Sequence, residues 1–182
     1  MTRFAVFLRG INVGGVRITM KDLAATLAAA GYRRVDTVLA SGNVLLDADD
    51  DDAGALAETL EAVLSERFGY PARVVAVTTA RVAALVGAYP FPPIDDGVPR
   101  HDYVVLAATE EAVASVVAAA PRPADGENYA AGDSVLYWQV PRGASLSSPL
   151  AKVLASPRHK ERLTTRNLKT LRKVLLRSAG TD

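Results

Sequence analysis

Two helix-ending glycines, Gly31 and Gly69, divide the first 78 residues in a way that few folds satisfy. Each closes a run with helical period and opens onto a strand-like run. Residues 19–30 keep Leu23 and Leu27 on one stripe, and Thr19 and Asp22 have capping-box spacing with Asp in place of Glu. A helix is predicted there, with Gly31 at C′ and Tyr32 packing back on Leu27. Residues 53–68 place Leu56, Leu60, Val63, Leu64 and Phe68 at helical spacing before Gly69 and Pro71 stop the run. Residues 3–8, 34–39, 44–47 and 73–77 read as strands, the middle two joined across Ala40-Ser41-Gly42-Asn43. The predicted order is β-α-β-β-α-β, the ferredoxin-like split βαβ arrangement.

The second half opens with a short helix at residues 79–88 and a connector at 90–99, where Pro90, Pro92 and Pro93 forbid regular structure. A strand at 103–108, a helix at 110–120 and a strand pair across Ala131-Gly132-Asp133, with 135–140 as its second arm, come next. Ser148-Pro149 supplies an N-cap and a proline at the first helical position. A last helix is predicted from Thr164 or Thr165 to about Ser178. The expected organisation is an α+β half at 1–78, a helix and proline-rich connector at 79–100, and a second α+β half at 101–182 with a basic C-terminal helix. The fold class predicted is α+β, two ferredoxin-like halves packed together.

Composition narrows the chemistry. There is no cysteine, which excludes disulfides, thiolate metal sites and cysteine nucleophiles, and His101 and His159 leave little for a zinc site. No metal and no cofactor is implied. The apolar runs are far shorter than the roughly 20 residues that span a bilayer, and residues 1–9 lack a secretory pattern, so no membrane association and a cytoplasmic setting are expected. Net charge is +1 but unevenly placed: residues 47–66 hold eight acids and no base, and residues 158–177 hold eight bases against Glu161. The basic end suits an anionic partner, or pairs with the chain's own acidic run.

Leu8-Arg9-Gly10-Ile11-Asn12-Val13-Gly14-Gly15 follows an apolar strand and has the look of a phosphate cradle. It is neither a Walker A loop, which ends in Gly-Lys-Ser/Thr, nor the G-x-G-x-x-G fingerprint, and its helix begins too late for backbone donors to converge on a terminus. Two readings stay open: turn glycines beside a carboxylate-paired Arg9, or a strand-end guanidinium fork that holds phosphate or carboxylate. Asp47, Asp49 and Asp51 imitate a calcium loop, but Asp52 stands where that loop needs glycine. An RNA recognition motif is also suggested by the element order, yet its third strand lacks the stacking aromatics, reading Val44-Leu45-Leu46. No nucleophile with a base is evident; Ser41 is outside any G-x-S-x-G elbow, and His101-Asp102 reads as a strand-start polar pair.

In the last segment Arg166, Lys169, Lys173 and Arg177 share one face at helical period, opposite Leu168, Leu171 and Leu175. That pattern serves a solvated amphipathic helix or a nucleic-acid contact through phosphates.

Three motifs together, residues 8–15, Ser41-Gly42-Asn43-Val44 and Thr165-Arg166-Asn167, are similar in order and spacing to a bacterial domain-of-unknown-function family, number 1697, over nearly the whole chain. The resemblance implies ferredoxin-like α+β halves and no assigned activity. The residues it matches are Arg9, Gly10, Asn12, Gly14, Gly15, Ser41, Gly42, Asn43, Thr165, Arg166 and Asn167. The family's last motif usually continues with tryptophan and then Asn-Thr; this sequence departs with Leu168-Lys169-Thr170. Three functions follow as expectations: an anionic small molecule bound through the strand-end motifs, nucleic acid bound through the basic helix, or an enzyme of unknown reaction. Oligomeric state is not readable.

Overall fold

The computed structural model describes residues 1–11 and 17–180. The chain divides into two compact units, one of residues 1–84 with 172–182 and the other of residues 85–171.

The first unit contains β1 (Thr2–Arg9), α1 (Met20–Ala29), β2 (Arg33–Val38), β3 (Asn43–Ala48), α2 (Ala53–Phe68), β4 (Arg73–Thr78) and most of α3 (Thr79–Gly87). Its antiparallel sheet has the order β2-β3-β1-β4. Strand side chains alternate between faces, so Phe4, Val6 and Leu8 meet Leu23 and Leu27 of α1 and Leu60 and Leu64 of α2 in one core. The other row of β1 is Arg3, Ala5, Phe7 and Arg9. Local signals set the helix ends as expected. The Thr19 side chain accepts the Asp22 N–H at 3.0 Å. The amides of Gly31 and Tyr32 donate back to Ala28 and Leu27, a Schellman closure. Asp52 caps α2 by accepting from Gly54 and Ala55, and Gly69 ends it in the left-handed region.

The second unit contains β5 (Arg100–Ala107), α4 (Glu110–Ala119), β6 (Asn128–Gly132), β7 (Val135–Pro141), α5 (Pro149–Ala155), α6 (Pro157–Lys160) and β8 (Leu163–Asn167). Its sheet order, β6-β7-β5-β8, repeats that of the first unit position for position. Both units are therefore ferredoxin-like. Val105, Leu136, Trp138 and Val140 pack with Val116 of α4 and Leu150 of α5. Ser148 caps α5 through the Ala151 N–H, with Pro149 at the first helical position.

One expectation is corrected. The last helix, α7, spans Leu168–Ala179, not a run from Thr164 or Thr165. Residues 163–167 form β8, which pairs with β5 from Tyr103↔Asn167 to Ala107↔Leu163. The β-branched pair Thr164-Thr165 favours this extended strand, and the Asn167 side chain accepts the Lys169 N–H at 2.9 Å where the helix begins. Arg166 consequently lies on a strand and shares no helical face with Lys169, Lys173 and Arg177.

Candidate functional site

The end of β1 is where the first two sequence motifs meet. β1 lies inside the sheet, so its last residue, Arg9, has a neighbour on each side. On one side, Phe7 pairs with Asn43 and the Leu8 N–H donates to the Gly42 carbonyl at 2.8 Å. On the other, Arg9 is the direct cross-strand partner of Arg73, the first residue of β4. Arg9 is half-buried, and Arg73, Ser41 and Gly10 are exposed.

The 39–42 turn is built to hold this end. Asn43 is fully buried, and its amide donates to the Val38 carbonyl at 2.8 Å and to Ser41 Oγ at 3.0 Å. Gly42 has φ +72°, and a Cβ there would stand 2.8 Å from Ile11 Cδ1 and 3.1 Å from Leu8 Cβ. Only glycine combines that backbone with that contact. Leu39 also takes a left-handed φ of 61° while its side chain is exposed. Arg9, Gly10, Ser41, Gly42 and Asn43 thus form one cluster, in which Gly10 and Ser41 are exposed and Arg9 is half-buried. Asn12, Gly14 and Gly15 lie outside the described residues.

Sequence reading missed Arg73 and its companion Glu61. The Glu61 carboxylate accepts the Val74 N–H at 2.8 Å through one oxygen and stands 3.4 Å from Arg73 Nη1 with the other. Near it, Tyr70 is buried and its hydroxyl has no hydrogen-bond partner among the described residues. Burial, then the Glu61 charge, raises its pKa. Nothing in local sequence flags Arg73, because only sheet register brings it to Arg9.

The third motif belongs to the second unit. Thr165, Arg166 and Asn167 are half-buried on β8; Arg166 Nη1 donates to Thr164 Oγ1 at 2.8 Å and to the Thr165 carbonyl at 3.1 Å. Elsewhere in this unit Asp102 accepts from the Tyr89 hydroxyl at 3.0 Å and from Gln139 at 3.1 Å. Burial, followed by the Asp102 charge, raises the Tyr89 pKa far above its ordinary value. His101 and Asp102, adjacent on a strand, point to opposite faces and form no dyad. Buried Glu127 accepts the Trp138 indole N–H at 2.9 Å and the Ala124 N–H at 3.1 Å.

The acidic run does not assemble a cation site. Asp47 is engaged by Arg3 at 3.0 Å and Arg34 at 3.4 Å, Asp52 caps α2, and Asp49, Asp50 and Asp51 line a shallow open depression with Thr2. Among the described residues no group of three or more His, Asp or Glu side chains is placed to hold a metal ion. Among them, too, no helix is long and apolar enough to cross a membrane. On α7, Lys169, Arg172 and Lys173 are exposed, and Arg177 forms an ion pair with Asp36.

Two ferredoxin-like units, the first with a strand-end cationic cluster, define an α+β protein class. Residues 1–137 match the family described as Protein of unknown function (DUF1697), and the chain belongs to it. Among solved structures it is similar to the conserved bacterial protein SP0830 from Streptococcus pneumoniae, with a TM-score of 0.74 and 23% identity over 96% of this chain and 97% of that one. That likeness shows the fold. No curated protein matches the chain.

Proposed function

We propose that the protein binds an anionic small molecule, carrying phosphate or carboxylate, at the end of β1. The observation that carries this reading is the direct cross-strand pairing of Arg9 with Arg73. Side chains at facing positions of a sheet are close enough for two guanidiniums to engage one oxyanion together, and charge-assisted hydrogen bonds of that kind are among the strongest. The exposed Ser41 hydroxyl stands on the adjoining turn, and the buried amide of Asn43 and the left-handed Gly42 hold the turn in place. In this reading Arg9 and Ser41 touch the ligand, and Gly42 and Asn43 position them. Thr165, Arg166 and Asn167 form a separate cationic strand end in the other unit, and Arg166→Ala tests whether it binds an anion of its own.

The deciding experiment is a thermal-shift panel of inorganic phosphate, nucleoside monophosphates and small carboxylates against the full chain. Stabilisation by a phosphate-bearing compound, lost in Arg9→Ala, is the expected result. No stabilisation by any compound, or stabilisation unchanged in Arg9→Ala, overturns the reading.

A second reading, nucleic-acid binding, is favoured by the exposed Lys169, Arg172 and Lys173 of α7. It requires affinity that falls steeply with salt, by about 0.7 to 0.9 log units per log unit of salt for each phosphate contacted. Lys169→Glu with Lys173→Glu then flattens that slope. Binding that is absent or insensitive to salt rejects it.

A further inference from the structure

Arg73 is held from the other side of the sheet edge by a carboxylate, and the two ends of that contact are unequal. Glu61 is fixed: its first oxygen takes the Val74 backbone N–H at 2.8 Å, and its side chain is 27% exposed. Arg73 is loosely held. Its Nη1 donates to the Ala72 carbonyl at 3.0 Å, and the 3.4 Å approach to Glu61 is long for a charge-assisted bond, which is usually about 2.7–2.9 Å. The Arg73 side chain remains 49% exposed. It can therefore leave Glu61 at little cost, because exposed pairs of this kind contribute little.

We infer that Glu61 is an internal competitor for the anion, holding Arg73 in the empty protein and releasing it to a phosphate monoester dianion bound at Arg9. The inference rests on the anion-binding reading of Arg9 and adds the second arm of the site and the class of ligand it selects. A dianion has the charge and the oxygens to engage two guanidiniums at once. A monocarboxylate gains less from recruiting Arg73, because it only exchanges one carboxylate partner for another. The cross-strand position of Arg73 places its Cβ within the roughly 4.5–5.5 Å of a facing pair from that of Arg9. The paired arginines supply the preference for two negative charges, and Glu61 tempers affinity for the dianion without touching the ligand, as a positioning residue.

The test titrates the full chain with inorganic phosphate and with acetate by calorimetry, in wild type, Glu61→Gln, Arg73→Gln and the double variant. Glutamine keeps an oxygen for the Val74 N–H and removes the charge, so the fold is preserved. Glu61→Gln is expected to bind phosphate about fivefold more tightly, the upper range for an exposed ion pair, with a smaller gain for acetate. In the Arg73→Gln background the gain disappears. A gain that persists without Arg73, or phosphate affinity equal in wild type and Glu61→Gln, overturns the inference while leaving the Arg9 reading intact. Absence of phosphate binding in every protein of the set overturns both.

Discussion

β1 and β5 are topological equivalents, each eight residues long and each flanked by corresponding strands, yet they end differently. The last cross-strand pair between β1 and β4 is Arg9 with Arg73; between β5 and β8 it is Ala107 with Leu163. The two pairs lie on opposite faces of their sheets: Arg9 and Arg73 belong to the row that faces away from the first core, whereas Leu163 lies in the second core with Ala107 packed against it. Core packing therefore demands an apolar residue at 163 and makes no such demand on half-buried Arg9 or exposed Arg73. The turn beside the charged pair is likewise specialised, with left-handed Leu39 and Gly42, whereas the corresponding β6–β7 connection is the two-residue turn Asp133-Ser134 with Ser134 at φ 53°.

Exchanging the two characters breaks the comparison most strongly. Leu163 is 3% exposed and belongs to the second core, so Leu163→Arg places a guanidinium among apolar side chains. A loss of about 4 kcal/mol is expected, in the range for an uncompensated buried charge, measured as a lowered urea midpoint at unchanged m-value. A variant within 1 kcal/mol of wild type shows that the second unit accepts a cation there, and the contrast between the units then carries no weight. Gly42→Ala comes next. It forces a Cβ onto a left-handed backbone and against Ile11 and Leu8, and about 2 to 3 kcal/mol should be lost. The same denaturation reads it; a neutral result means that the turn relaxes freely and does not position the end of β1.

How far the sequence discloses this contrast depends on the distance over which each signal acts. α2 is legible to the residue, because Asp52, the leucine stripe and Gly69 are all local. β8 is not, since Leu163-Thr164-Thr165-Arg166-Asn167 passes directly into α7 with no glycine or proline between them, and Thr reads equally as a cap or as a strand former. Arg9, Ser41, Gly42 and Asn43 are recognisable as motif residues, but the burial of Asn43 and its role in the turn depend on packing. Arg73 and Glu61 are ordinary charges in sequence. Sheet register gives Arg73 its place beside Arg9, the seating of α2 on β4 brings Glu61 to Arg73, and periodicity carries neither.

The cationic pair itself has a modest structural weight. Arg73→Leu removes a like-charge neighbour of Arg9 and the exposed pair with Glu61, two small effects of opposite sign. Stability should change by less than about 1 kcal/mol, while phosphate affinity drops at least fivefold in the calorimetric titration. A large destabilisation with unchanged affinity reverses the assignment and makes Arg73 structural.

The smallest expected effect separates the units by pH. In the first unit the Arg177 guanidinium beside Asp36 lowers the Asp36 pKa, so this pair contributes fully above the ordinary value of 3.8 and is lost as pH falls through the lower folded value. In the second unit burial, helped by the Arg158 charge, lowers the His159 pKa below its ordinary 6.5. The folded chain then disfavours protonation that the unfolded chain accepts. The contribution of neutral His159 is complete above 6.5 and declines as pH falls from there toward the folded value. Trp138, the single tryptophan, lies in the second core, so its fluorescence reports that unit. The urea midpoint followed by fluorescence should fall between pH 7.5 and 5.5, and fall less in His159→Gln. Asp36 is ionised in both folded and unfolded chains throughout this window, so Arg177→Gln should leave that slope unchanged. An equal slope in wild type and His159→Gln would show that His159 accepts its proton in the folded chain as readily as in the unfolded one.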